Sequence, residues 1–220
     1  MTEAGAAASF EFRPGAGGFP DRLKLGLAFD AARLAEDLGR LAGIDWTRHY
    51  VEQHFSGDWS VIPLRGPAGA VHPILQIFPS PAVTAFADLP ALALTPYVRQ
   101  VLAAFACPLQ CVRLMRLAPG SRIETHTDYD LAFEQGVARI HVPITTNPGV
   151  DFRLNDVPVV MAAGEAWYLR LSDLHSVDNR GATDRVHLVI DAEANAWLRD
   201  QLVASTARPL RIPGQPRPRP

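Results

Sequence analysis

The stretch "THTDYD" at residues 125–130 puts a histidine, His126, two positions before a carboxylate, Asp128, in a chain with only seven histidines. In an extended segment, residues two apart leave the same face, so both side chains can meet one cation. An imidazole and a carboxylate leave that cation short of ligands, and His175 in "RLSDLHSVDN" is the candidate third. H-x-D with a distal histidine is the two-histidine, one-carboxylate set that holds ferrous iron on one face of an octahedron, the opposite positions staying open. By itself H-x-D is a short motif, and the plain alternative is a solvated turn in which Asp128 or Asp130 caps backbone amides. Further features favour the metal. Ten residues after His175, Arg185 opens "RVHLVIDA", where a guanidinium can clamp a carboxylate bidentately at the base of the same cavity. Arg139 and His141 in "RIHVPI" share a strand face, and polar groups on otherwise apolar strands need partners inside the fold.

Periodicity supplies the elements that must position these groups. The Ala/Gly-rich first twenty residues are expected to be loosely ordered, apart from a short strand at "SFEF". "DAARLAEDLGRL" has the spacing of an amphipathic helix, with Asp30 as N-cap, Leu34, Leu38 and Leu41 on one side, and Gly43 past its end. "DWTRHYVEQHF" reads as a helical extension and "DWSVIPLRG" as a strand. "LTPYVRQVLAAFA" reads as a second helix with Pro96 in its first turn. From residue 109 the texture becomes short β-rich runs separated by "APG", "NPG", "ND" and "NRGATD", without helices between them. That predicts a mainly β chain with N-terminal helices, its strands forming an antiparallel sandwich or barrel. The expected organisation is a flexible segment 1–20, one domain 21–206 and a proline-rich tail 207–220. Within the domain, residues 21–106 form helical support and 107–206 the β-barrel core.

A net charge of -2 without a run of lysines or arginines argues against nucleic acid or an anionic membrane as partner. No apolar stretch approaches the ~20 residues that span a bilayer. The start "MTEAGAAASFEF" lacks the basic region and long apolar run of a secretory signal. The two cysteines, Cys107 and Cys111, form a single C-x3-C pair, too few for a zinc site, and a reduced, cytoplasmic location is expected.

In order and spacing, "LAPGSRIETHTD", "RIHVPI", "GEAWYLRLSDLHSVDN" and "DRVHLVID" resemble the aspartyl/asparaginyl β-hydroxylase family, which is similar to the bacterial cis-proline hydroxylases. The likeness runs over residues 25–200. It includes a weaker pattern at Trp46, His49, Gly57, Asp58, Trp59 and Leu64. It implies a double-stranded β-helix, the jelly-roll or cupin-like barrel, and an iron(II)/2-oxoglutarate-dependent dioxygenase. Such an enzyme uses O2 to hydroxylate an unactivated C–H bond of an amino acid, free or within a peptide or carrier-bound intermediate, with succinate and CO2 as co-products. By position, His126 and His175 match the family's iron histidines, and Asp128 stands in the acidic-ligand position. Arg185 matches the arginine that grips the distal carboxylate of 2-oxoglutarate; Arg139 and His141 match an R-x-H pair associated with co-substrate binding. The animal aspartyl hydroxylases of the family lack the acidic ligand, so Asp128 agrees better with the free-amino-acid hydroxylases. A filled carboxylate position also argues against halogenation.

Two other classes compete: a non-catalytic cupin-like module holding a small acid, and a metal-dependent hydrolase or isomerase on the same barrel. Arg185 favours the oxygenase over both. Among the remaining polar residues, Asn179 is expected to brace the "NRGATD" turn, and His187 to line the cavity or sit satisfied in the core. Structural roles are expected for His49, His54 and His72, and core positions for Met115 and Trp167. Arg113 and Arg116 leave opposite strand faces, and parity does not say which points inward. Alternation sets Arg139 and His141 against Ile140, Val142 and Ile144, and Arg185 and His187 against Val186, Leu188 and Ile190. Four cationic or titratable groups in one cavity exceed what one dicarboxylate needs, so the substrate is expected to carry a carboxylate too.

Overall fold

The computed structural model describes residues 18–77 and 83–207. The expected strand at "SFEF" and the proline-rich tail beyond residue 207 lie outside the described residues.

The first half of the chain mixes strands and helices. It runs through β1 (Arg22–Ala28), α1 (Ala31–Arg40), β2 (Thr47–Arg48), β3 (Phe55–Ser56), β4 (Trp59–Pro67), α2 (Pro73–Gln76), β5 (Phe86–Asp88), α3 (Pro90–Ala93) and α4 (Pro96–Ala103). The second half is almost all strand: β6 (Leu109–Leu117), β7 (Arg122–His126), β8 (Val137–Thr145), β9 (Val150–Leu154), β10 (Val157–Pro158), β11 (Glu165–Leu169), β12 (His175–Asn179) and β13 (Arg185–Glu193), closed by α5 (Ala196–Thr206). The strands form two antiparallel sheets. One has eight strands in the order β1-β11-β8-β13-β6-β4-β2, with β5 also on β4; the other has five, β10-β9-β12-β7-β3. This is a jelly roll, and the second sheet covers one face of the first. No helix among the described residues is long and apolar enough to cross a membrane.

Strand alternation sorts the larger sheet into two different faces. Ile140, Val142 and Ile144 of β8 and Val186, Leu188 and Ile190 of β13 pack outward with Leu34, Val98, Val101, Leu198 and Leu202 of the helices. The inner face meets the smaller sheet through Trp59, Met115, Leu117, Ile123, Phe152, Leu154, Val177 and Val189. Both sides of β13 are therefore covered, and β13 is buried along nearly its whole length. Burying apolar area at roughly 25 cal/mol per Å² makes these two layers the main stabilising term. Because the inner layer shares its space with charged side chains, the polar groups of β8 and β13 must find partners there.

Two sequence expectations need correction. "DWTRHYVEQHF" is not helical: Thr47 and Arg48 pair with Val61 and Ser60 of β4, Glu52–His54 form a single 3-10 turn, and Phe55 pairs with Ile123. Cross-strand pairing and the stacking of His49 on Trp59, with ring centroids 3.6 Å apart, override the local pattern. Residues 21–106 are also more than helical support, since β1, β2, β4 and β5 complete the larger sheet and β3 the smaller. The helix at Ala31–Arg40 does form as expected, Asp30 capping Ala32 and Arg33. Gly57, at φ 84, lets the chain pass close against Ser121, and the following Asp58 pairs with Arg116 at 2.8 Å.

The two main support helices are joined by a buried cap. Thr95, at the start of α4, makes no side-chain cap bond. The carboxylate of Asp37 on α1 instead accepts from Tyr97 N at 2.7 Å and Val98 N at 2.8 Å. The Tyr97 hydroxyl in turn accepts from Asp30 N. Asp37 is 2% exposed, so truncation would strand two backbone donors, one buried and one partly buried. Asp37→Ala is expected to lower stability by about 1–3 kcal/mol, read as a shift of the urea midpoint at constant m-value.

Candidate metal centre

The two sheets converge on one cavity of about 580 Å³. At one end β7 and β12 run antiparallel with His175 opposite His126, the first residue of one strand facing the last of the other. Their rings approach to 4.2 Å between centroids. Asp128 follows in the loop, tied back by Asp128 N donating to Leu171 O at 2.8 Å. One ligand atom from each of His126, Asp128 and His175 lies within 4.8 Å of the other two.

Backbone carbonyls fix both imidazole tautomers. His126 Nδ1 lies 2.8 Å from Glu124 O, and His175 Nδ1 lies 3.0 Å from Asp173 O. A carbonyl only accepts, so each Nδ1 carries a proton, and in the neutral ring Nε2 is then the nitrogen with the lone pair. His126 Nε2 stands 3.6 Å from Asp128 Oδ1, which turns that lone pair toward the carboxylate. Burial pulls the His175 imidazole down to about 4, against the opposing pull of Asp128, so its ligating form persists at neutral pH. Burial works against charge on Asp128 as well, but Arg139 and the two histidines outweigh it and hold the carboxyl below its ordinary value. Two bare imidazole nitrogens and an ionised carboxylate, converging from one side, fit a cation of the ferrous type with open positions.

Deeper in the cavity lies a cation to which the described residues supply no counter-ion. Arg185 is 2% exposed. Its Nη2 donates to His187 Nδ1 at 2.8 Å, and among the described residues its buried Nε has no partner. His141 Nδ1 lies 3.2 Å from the same His187 Nδ1. The single lone pair of His187 Nδ1 is taken by the arginine, and His141 Nε2 is buried and, among the described residues, without a partner. Burial lowers the Arg185 guanidinium to about 9, still charged at neutral pH. An unpaired buried charge is costly, and an anionic ligand removes that cost. Phe152 separates the two ends: its ring centroid is 5.8 Å from the Arg185 guanidinium carbon and 6.4 Å from the His175 ring.

The structure brings His126, Asp128, His175, Arg139, His141 and Arg185 to this one cavity. Arg139, however, is not an open clamp. It is bound to Asp191 through Nε at 2.6 Å and Nη2 at 3.0 Å, and to Asp128 through Nη1 at 2.6 Å. Arg113 points inward and shares Asp191 at 2.8 Å, whereas Arg116 turns outward to Asp58. Of the four groups counted from the sequence, Arg185 alone is a cation without an ion-pair partner among the described residues, which corrects the premise of the excess-charge argument. His187 sits behind Arg185 as a core histidine, and Asn179 bonds Leu117 O and Thr183 O in the expected bracing role. His72 caps α2. Asp173 is engaged with Arg170 and Asn155, and Asp130 stands outside the ligand cluster. His49 and His54, expected to be structural, both line the cavity. Motif spacing does not single out Asp191, although its parity with Arg185 and His187 sets it on the inward face.

Buried neutral histidines make stability depend on pH. Burial, followed by Arg185, holds His141 and His187 well below their ordinary value; burial, followed by Arg113, takes His49 down to about 3. In each case the folded value lies below the unfolded one, so the unfolded chain binds the extra proton as pH falls below about 6.5. The contribution is fully present above that pH and is lost below it, by up to about 1.4 kcal/mol per pH unit for each histidine. Urea midpoints of the metal-free protein are expected to fall steeply between pH 6 and pH 4, and less steeply in His187→Asn.

Residues 41–195 match the family model described as aspartyl/asparaginyl beta-hydroxylase. The chain is 31% identical over 172 residues to the L-proline cis-4-hydroxylase of Rhizobium meliloti (strain 1021), a match covering 77% of this chain. It spans 59% of the length of that relative. Among solved structures, a 2OG-Fe(II) oxygenase from Burkholderia pseudomallei superposes with a TM-score of 0.53 at 16% identity, over 84% of this chain and 94% of the other. The epimerase SnoN from nogalamycin biosynthesis gives a TM-score of 0.50 at 14% identity, over 78% and 76%.

Proposed function

The chain belongs to the aspartyl/asparaginyl β-hydroxylase family, and we propose that it is an iron(II)- and 2-oxoglutarate-dependent dioxygenase hydroxylating an amino acid. The observation that carries the reading is one cavity holding both a His-Asp-His cluster and, beyond Phe152, a buried arginine with no counter-ion among the described residues. A hydrolase, or an isomerase that takes no dicarboxylate co-substrate, needs the first feature but has no use for the second, and a plain acid-binding module has no use for the first.

His126, Asp128 and His175 would hold the iron, and the family relationship supports that assignment. When bound, iron(II) with 2-oxoglutarate and O2 supplies an oxidation that yields succinate, CO2 and an oxygen atom inserted into a C–H bond of the substrate. Arg185 offers the distal carboxylate of 2-oxoglutarate its free Nε–H and a full charge in a water-poor pocket, where charge-assisted bonds are strongest. Phe152 and Leu171 keep the space between the two ends apolar.

The charge balance supports a carboxylate on the substrate. Among the charged residues of the cavity wall that are not exposed, three arginines, Arg113, Arg139 and Arg185, face two aspartates, Asp128 and Asp191, a balance of +1; the third lining aspartate, Asp130, is exposed, and solvent screens its charge. A dication and a dicarboxylate cancel, so one positive charge remains for the substrate. Arg113 is placed to take it, because its one side-chain bond among the described residues goes to Asp191. An amino acid, free or within a peptide or carrier-bound intermediate, satisfies this.

The test is a panel of free amino acids, L-proline first, with their amides and short peptides, incubated with ferrous iron, 2-oxoglutarate and ascorbate. Products are scored by a mass gain of one oxygen. A gain confined to members bearing a free carboxylate is expected; turnover of the amides at equal rates would remove the charge argument, and no gain anywhere would remove the hydroxylase reading.

A further inference from the structure

We infer that Asp191 is a positioning residue for the metal centre, acting through Arg139 to choose which oxygen of Asp128 faces the two histidines. The inference rests on His126, Asp128 and His175 holding the metal. Asp191 sits on β13 directly opposite Arg139 on β8, and both its oxygens are engaged. Arg139 grips it side-on through Nε and Nη2, while Arg113 reaches Oδ2 from the strand on the other side. A two-point fork fixes the plane of a guanidinium, which a single contact cannot do. The nitrogen left over, Arg139 Nη1, is thereby aimed at Asp128 Oδ2, 2.6 Å away. With Oδ2 occupied, Oδ1 is the oxygen turned toward His126 Nε2.

The backbone does not do this by itself. Asp128 lies beyond the end of β7, and two residues later Asp130 is in the left-handed region at φ 60. The loop is held at Asp128 by one backbone bond, to Leu171 O, which leaves the carboxylate free to rotate unless something takes its second oxygen. Asp191 also neutralises charge. Without it, two guanidiniums would stand beside the position of a dication, and Arg139 would be free to fork both oxygens of Asp128 and compete with the metal for them.

The test measures binding without turnover, by titrating cobalt(II) into the folded metal-free protein and following heat and the visible cobalt band. Asp191→Asn keeps size and shape but loses the charge and one arm of the fork. It is expected to weaken cobalt binding about tenfold, the lower end of the effect usual for partners of a metal ligand, and to alter the cobalt band while circular dichroism is unchanged. In an Arg139→Gln background the same substitution should change affinity by no more than about twofold, because the pair acts as one unit. Wild-type cobalt affinity in folded Asp191→Asn, or equal weakening in both backgrounds, overturns the inference. Should Asp191→Asn not fold, Arg139→Lys decides: it keeps the charge without the fork, so reduced affinity supports the inference and unchanged affinity overturns it. Asp128→Ala and His175→Ala separate the two levels of the argument. If they bind cobalt as wild type does, the metal assignment falls and takes the inference with it; if only the Asp191 variants are silent, the inference alone fails.

Discussion

Alanine at His126, Asp128 or His175 is expected to reduce iron-dependent turnover by more than about a hundredfold, beyond the range typical for residues that merely support a ligand. Each supplies one of three converging ligand atoms, and two ligands hold a labile divalent ion poorly. The fold should survive. His175 keeps its ladder pairing in the middle of the smaller sheet through its backbone, whatever its side chain, and Asp128 lies outside the ladder. Turnover is read at saturating iron, with circular dichroism as the control on folding. A loss of only a few-fold in all three variants would rule out the assignment. Asp128→Gly is the sharpest member of the series, since it empties the acidic position without adding bulk; full hydroxylation by that variant would group the chain with the family members that lack the acidic ligand.

Arg185 yields the second large effect, and it has an unusual sign. Arg185→Lys keeps the charge but loses the fork, and is expected to raise the KM for 2-oxoglutarate at least about tenfold, equivalent to roughly 1.4 kcal/mol. Arg185→Met goes further, because it removes a buried charge that no counter-ion among the described residues offsets. Unliganded Arg185→Met should therefore be more stable than wild type, as replacing uncompensated buried charge by apolar volume usually is. Thermal stabilisation by 2-oxoglutarate should disappear in the same variant. An unchanged KM in Arg185→Lys, or a less stable Arg185→Met that still responds to 2-oxoglutarate, would move the anchor elsewhere.

What was legible in the sequence was what strand alternation and motif order control. His126, Asp128, His175 and Arg185 announce themselves by spacing, and the inward placement of Arg139 and His141 follows from parity along β8. Parity failed where it needed a second reference. Arg113 and Arg116 leave opposite faces whichever way the strand lies, and only the pairing of β6 with β13, Met115 beside His187 and Arg113 beside Val189, says that Arg113 is inside. Asp191 carries the same parity as Arg185, and a count of the inward cations that leaves it out overlooks the anion paired with Arg139. The segment around His49 misled for a different reason. Its local pattern suits a helix, yet Thr47 and Arg48 pair with β4 and His49 stacks on Trp59 ten residues on, contacts that helical periodicity does not register.

The central claim is that the metal cluster and the arginine pocket serve one reaction. The measurement that tests it most directly is the ratio of succinate formed to oxygen gained by an amino acid substrate, with ferrous iron present and withheld. A one-to-one ratio that vanishes without iron and in Asp128→Ala is the predicted result. Substrate modified without consumption of 2-oxoglutarate, or no consumption with any amino acid or peptide, would contradict it.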